Sequence, residues 1–183
     1  MAGPGEPAAA AAAEVPSDLV ELGAIRSAYG VNGWVRIALL GSDGSVLLDA
    51  ADWWLKNAGT CRRVIPESRR RYGAALLAKW PDCESKEAAE GLRGTLVAVP
   101  RSQFPLAPEG SFYWADLIGC RVVNRGGGDL GRVSGLRENS GGQWLEVGDG
   151  GDAGVLLIPL VEQFVEAVDP SARVIRVDWE RDW

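Results

Sequence analysis

SFYWADLIGCRVVNRGGGDLGRVSGLRENSGGQWLEV, residues 111–147, opens on an aromatic triplet, Phe112, Tyr113 and Trp114, and runs through Asp116, Leu117, Ile118 and Gly119 into a glycine-rich turn. Two further apolar pieces follow, LLIPL at 156–160 and VIRVDW at 174–179. Read as strands, these segments are short, regularly punctuated and too numerous for a flat ribbon. They predict a small closed barrel and an all-β chain.

Working outward, strands are expected at residues 120–123, 131–136, 144–147, 155–160 and 174–179. Pro159 implies an edge or a bulge, because it cannot donate to a ladder. Upstream, LVELGAIRSAYGVNGWVRIALL (19–40) contains two apolar-rich runs around a turn with Gly30 and the Asn32-Gly33 pair, whose backbone tolerates positive φ. Val35, Ile37 and Leu39 then alternate with Arg36 and Ala38, the period of a half-buried strand. Further strands are expected at 53–56, 61–65, 72–80 and 95–99. One helix interrupts them, capped by Ser85, with Glu87 and Glu90 in its first turns and Gly94 just past its end. Prolines 100, 105 and 108 mark a linker. The chain thus divides into an Ala/Pro-rich disordered tail at 1–17, a domain at 18–100, a linker at 101–110 and a second domain at 111–183.

Composition narrows the chemistry. At 183 residues, 46% hydrophobic and 24% charged, the chain supports one largish or two small domains. The longest apolar stretch, residues 155–161, is far shorter than the ~20 residues a membrane helix needs. The chain has no histidine, which removes the usual general base, the commonest transition-metal ligand and every Ser-His or Cys-His nucleophile. Three cysteines, Cys61, Cys83 and Cys120, lie far apart without the paired spacing of a zinc site. A reducing cytoplasm suits them, and binding rather than catalysis becomes the default.

The net charge of −6 is unevenly spread. Between Lys56 and Lys79, seven bases (Lys56, Arg62, Arg63, Arg69, Arg70, Arg71, Lys79) face the single acid Glu67, a tract that suits phosphate or is simply solvated surface. From Glu138 onward ten acids oppose Arg173, Arg176 and Arg181, a balance of 3 − 10 = −7 that prefers a basic partner. Gly126 to Gly131 literally matches GxGxxG, but strand-like residues follow it where a dinucleotide fingerprint needs a helix, so a hairpin turn is expected. No GxxxxGK[ST] occurs.

Within an extended segment neighbouring side chains alternate, so Tyr113 is expected to face away from Phe112 and Trp114. The outward ring either anchors a partner or packs on the chain's own surface.

These features together resemble the RimM family of ribosome maturation factors. GAIRSAYGVNGWVRI is similar to the family's N-terminal signature, with Tyr29, Gly30, Gly33 and Trp34 as its turn motif, although Val31-Asn32 stands where a basic residue often precedes the second glycine. An aromatic pair followed by Trp, then an acidic-Leu-Ile-Gly run, resembles the site at Phe112, Tyr113 and Trp114. Leu157-Ile158-Pro159 and the segment from Val168 to Trp179 continue the likeness, and Gly141-Gly142-Gln143-Trp144 departs from it. The resemblance implies a six-stranded, translation-factor-like barrel followed by a PRC barrel. It implies a monomeric, non-catalytic cytoplasmic factor without cofactor or metal, which binds ribosomal protein S-nineteen in the head of the immature small subunit and assists maturation of its 16S rRNA. On that reading Phe112, Tyr113 and Trp114 bind the partner, and Arg62, Arg63, Arg69, Arg70 and Arg71 are candidate RNA contacts. Two other classes stay open: a flavin- or nucleotide-binding barrel enzyme, and a PRC-barrel adaptor for a non-ribosomal partner.

Overall fold

A computed structural model describes residues 14–108, 110–148 and 154–181. The tail expected at 1–17 lies, for residues 1–13, outside the described residues. The chain divides into two compact units, the first running to Leu40 and resuming at Gly44–Phe104, the second comprising Gly41–Asp43 and the chain from Pro105.

The first unit is a seven-stranded antiparallel sheet. Its strands are β1 (Leu19–Tyr29), β2 (Trp34–Leu39), β3 (Trp53–Asn57), β4 (Thr60–Val64), β5 (Ser68–Tyr72), β6 (Ala75–Lys79) and β7 (Leu96–Pro100). They lie in the order β4-β3-β7-β1-β2-β6-β5. β1 is long enough to pair with β7 through its first half and β2 through its second, and register shifts at Glu21/Gly23 and Ile25/Ser27 let it bend between them. Ile25, Val35, Ile37, Trp53, Leu76 and Val97 are fully enclosed in the core. A short helix α1 (Val46–Asp49) and the helix α2 (Lys86–Gly91) complete the unit. Ser85 Oγ accepts the Ala88 N–H at 3.1 Å, and Gly94 takes φ +83° beyond the helix end. The sequence signals for cap and stop both hold.

Three expectations change here. The single strand at 72–80 is really the hairpin β5–β6, turning at Gly73 with φ +59°. The run Arg69-Arg70-Arg71 conceals a strand, because an edge strand needs no apolar pattern to pair through its backbone. The six strands implied by resemblance become seven. Among the described residues no ladder joins β4 to β5, so pairing leaves the sheet unclosed, with an arginine-bearing strand at each end. Charge on such edges also discourages pairing with other chains.

The second unit carries α3 (Trp114–Leu117) and six strands, β8 (Arg121–Asn124), β9 (Asp129–Asn139), β10 (Gly142–Gly148), β11 (Leu156–Pro159), β12 (Val165–Asp169) and β13 (Val174–Val177). The order is β11-β10-β9-β8-β13-β12, antiparallel except for β8 beside β13, and no ladder joins its two ends among the described residues. Pro159 does lie on an edge strand. Leu117, Cys120, Val122, Val133, Leu145, Ile158 and Ile175 build the core. β12 carried no clear signal, and its side chains are half-buried or exposed.

The aromatic triplet requires the largest correction. Tyr113 is extended but Trp114 begins α3, so strand alternation does not govern all three rings.

Candidate nucleic-acid and partner interfaces

Side chains directly opposite one another in a ladder share a face. Arg36 on β2 pairs with Leu77 on β6, which pairs with Arg70 on β5. Trp34 lies two residues from Arg36 and opposite Tyr29, and Tyr72 lies two residues from Arg70. One face of the sheet therefore collects Tyr29, Trp34, Arg36, Arg70 and Tyr72. The Arg70 guanidinium carbon stands 5.4 Å from the centroid of the Trp34 ring, and Tyr29 meets Tyr72 edge to face at 5.3 Å. Tyr72 remains 48% exposed. No carboxylate pairs with Arg36 or Arg70 among the described residues.

The rest of the basic tract goes elsewhere. Arg69 and Arg71 point to the opposite face of β5, and Arg69 donates to the Ala50 carbonyl. Arg62 and Arg63 lie on β4, at the far end of the strand order. Arg63 Nε binds the buried carboxylate of Asp52 at 2.6 Å, and Arg62 approaches Asp82 at 3.6 Å. The five arginines are not equivalent: Arg62, Arg63 and Arg69 already have partners, and Arg63 and Arg69 both reach the 50–52 segment. Sequence reasoning missed Arg36 and Tyr72 as companions of Arg70, although the outward place of Arg36 in the β2 alternation was the available signal.

In the turn motif, Gly30 and Gly33 both take positive φ, +69° and +76°, whereas Asn32 does not. A Cβ on Gly33 would stand 1.7 Å from the Cys83 carbonyl oxygen, so the turn lies directly on the backbone that leads into α2. The Ala28 N–H, just before the turn, is received by Glu90 of α2 at 3.1 Å. Gly33 serves close packing, and this accounts for that glycine of the motif without a ligand.

In the second unit Phe112 is 38% exposed and is the outward ring of the triplet, whereas Tyr113 and Trp114 are both half-buried. Phe112 lines a cleft of about 440 Å³ with Gln143, Leu160, Val161, Glu162 and Val165. Trp114 turns onto Gly41, where a Cβ would meet its ring at 2.6 Å. Tyr113 supplies no side-chain cap for α3. The buried Asp43 carboxylate does so instead, accepting the Ala115 N–H at 3.1 Å. Burial raises its pKa above the ordinary carboxylate value, against the lowering by the Trp114 and Ala115 amides. The cleft offers an apolar floor beside the exposed acid Glu162. Glu166, also on its rim, is paired with Arg125.

The glycine run at 126–131 is a hairpin turn: Asn124 Oδ1 accepts the Gly128 N–H at 2.6 Å and β9 follows, with Asp129 bound to Arg121 at 2.7 Å. All three cysteines are free, and burial pushes the Cys83 and Cys120 thiols up, away from the reactive thiolate. Among the described residues no cluster of His, Cys, Asp or Glu could hold a metal ion, and no helix is long and apolar enough to cross a membrane.

Residues 20–104 match the family model described as the RimM N-terminal domain, and residues 114–183 match the RimM PRC barrel domain. A ribosome maturation factor RimM of Chromobacterium violaceum is 42% identical, covering 91% of this chain and 98% of its own length. One of Ralstonia nicotianae is 40% identical over 97% of this chain and 99% of its own. A crystal structure from Pseudomonas aeruginosa, provisionally described as a 16S ribosomal RNA processing protein RimM, is 32% identical with a TM-score of 0.46, covering 91% of this chain and all of that one.

Proposed function

The chain belongs to the RimM family, and from that premise we propose that it is a ribosome maturation factor that assists 16S rRNA processing and small-subunit assembly without catalysing a reaction. The observation that carries this reading is the pair of family domains, in order, on a chain that near-full-length relatives named ribosome maturation factor RimM match at about 40% identity. A chain lacking histidine is poorly equipped for acid–base chemistry near neutral pH. That favours a binding role in the cytoplasm, where small subunits are assembled.

The partner within the subunit is ribosomal protein S-nineteen in the head of the immature particle. Phe112, beside the apolar floor of its cleft and the acid Glu162, suits a basic partner that offers an apolar anchor. Tyr113 flanks that ring, and Trp114 holds its segment against Gly41. The N-terminal domain (18–100) and the PRC barrel (111–183) then act as two separate binding modules on either side of the linker at 101–110.

Co-sedimentation with immature and mature small subunits across a salt series tests the proposal. Preferential association with immature particles is expected. Equal association with both, or with neither, overturns it.

A further inference from the structure

Three rings and two guanidinium groups share one face of the first sheet, where Tyr29 and Trp34 are half-buried and Arg36, Arg70 and Tyr72 are exposed. Tyr72 sits on an edge strand and is half exposed, and its ring leans on Tyr29 rather than into the interior. Arg36 and Arg70 stand on strands either side of β6, roughly 10 Å apart at the backbone, with the fully buried Leu77 between them. The tip of the β1–β2 turn adds Val31, 70% exposed. Glu90, near the end of β1, is occupied by the Ala28 N–H.

We propose that this face, Tyr29, Trp34, Arg36, Arg70 and Tyr72, is a stacking platform for single-stranded RNA. An exposed ring such as Tyr72 takes the face of an unpaired base, and arginine is the cation that both stacks on bases and forks onto phosphate oxygens. The chemistry selects single strands because a duplex hides its base faces and offers only backbone and groove. It selects nucleic acid over an acidic protein segment because the rings of Tyr29 and Tyr72 suit flat π-surfaces, which bases offer and acidic side chains do not. Arg70 is preorganised by its place over Trp34. The inference rests on the assembly-factor reading only for the source of the RNA, an unpaired segment of the maturing rRNA.

The test uses the full chain and a labelled single-stranded oligoribonucleotide of about ten residues, within the range one small β-domain covers, against a duplex of equal length. Fluorescence anisotropy should show the single strand bound at low salt and the duplex at least about tenfold more weakly. Tyr72→Ala should cost about tenfold, the worth of one stacked base, in a protein that melts somewhat lower for want of the Tyr29 contact but is folded at the assay temperature, and Tyr72→Phe should restore binding. Arg70→Lys keeps the charge but loses the planar stack, so affinity should fall severalfold while the salt slope holds. If Tyr72→Ala does not fold, Arg70→Lys decides alone. No binding of the single strand, equal binding of the duplex, or variants that bind like the parent protein would each overturn the inference. So would loss of subunit association by Tyr72→Ala without any oligonucleotide binding, which would assign the face to a protein contact. Subunit association by a protein that ignores the oligonucleotide sinks only the platform. Oligonucleotide binding without subunit association sinks only the assembly reading.

Discussion

Arg70 lies over the ring of Trp34 at 5.4 Å, joining the run of arginines on β5 to the turn motif more than thirty residues earlier in the chain. Arg69 and Arg71 face the other way, so the arginines of the basic tract are not equivalent.

Removing Arg36 or Arg70 should therefore weaken subunit association and flatten its salt dependence, each phosphate contact contributing about 0.7 to 0.9 to the log–log slope. Arg63→Ala should leave that slope unchanged. It should instead lower stability by about 1–3 kcal/mol, because the buried Asp52 carboxylate loses its charged partner. Co-sedimentation across salt, with urea unfolding of the same proteins, separates the two effects.

Phe112→Ala should abolish most subunit association with little change in melting temperature, since the ring stands 38% exposed at the rim of a cleft rather than in the core. Trp114→Ala should behave oppositely, unfolding at lower temperature because the half-buried ring packs on Gly41. A Phe112→Ala protein that co-sediments like the parent would remove this ring from the interface.

The two glycines of the first turn should differ in cost. Gly30→Ala meets no neighbour within 4 Å and bears only the left-handed backbone penalty, about 1–2 kcal/mol. Gly33→Ala adds a clash with the Cys83–Glu84 backbone and should cost clearly more, with displacement of the segment leading into α2. Denaturant midpoints compare them directly.

Asp43 predicts a pH effect of unusual sign. Burial holds its folded pKa above the ordinary value of 3.8, so its ionised form opposes folding. As pH falls through the folded pKa towards 3.8, this group should add stability, the reverse of a carboxylate whose pKa is depressed on folding, such as Asp129. Asp43→Asn should lose that acid-side gain while keeping an acceptor for the α3 amide. Asp43→Ala should be destabilised by about 1–3 kcal/mol at any pH, since a buried donor is left unpaired. Thermal melts of the three proteins between pH 4 and 7 provide the check, referenced to the 3.8 of a free carboxylate.

Period-2 alternation, turn glycines and the Ser85 cap were enough to read the all-β class, the helix α2 and most strands, because each is a local demand of the backbone that neighbouring residues must meet. Pro159 announced an edge strand for the same reason: a missing N–H is a property of the residue itself. The edge strand β5, the half-exposed β12 and the helical start at Trp114 were not legible, since edges pair through backbone groups that any side chain permits, and α3 draws its cap from Asp43, seventy-two residues away. The candidate sites divide along the same line. Which residues are aromatic or basic is written in the chain. That Arg70 and Tyr72 join Trp34, Arg36 and Tyr29 while Arg62 and Arg63 are spent on Asp82 and Asp52 depends on strand order and on the alternation of each strand about its own ladder, which only pairing between distant segments decides.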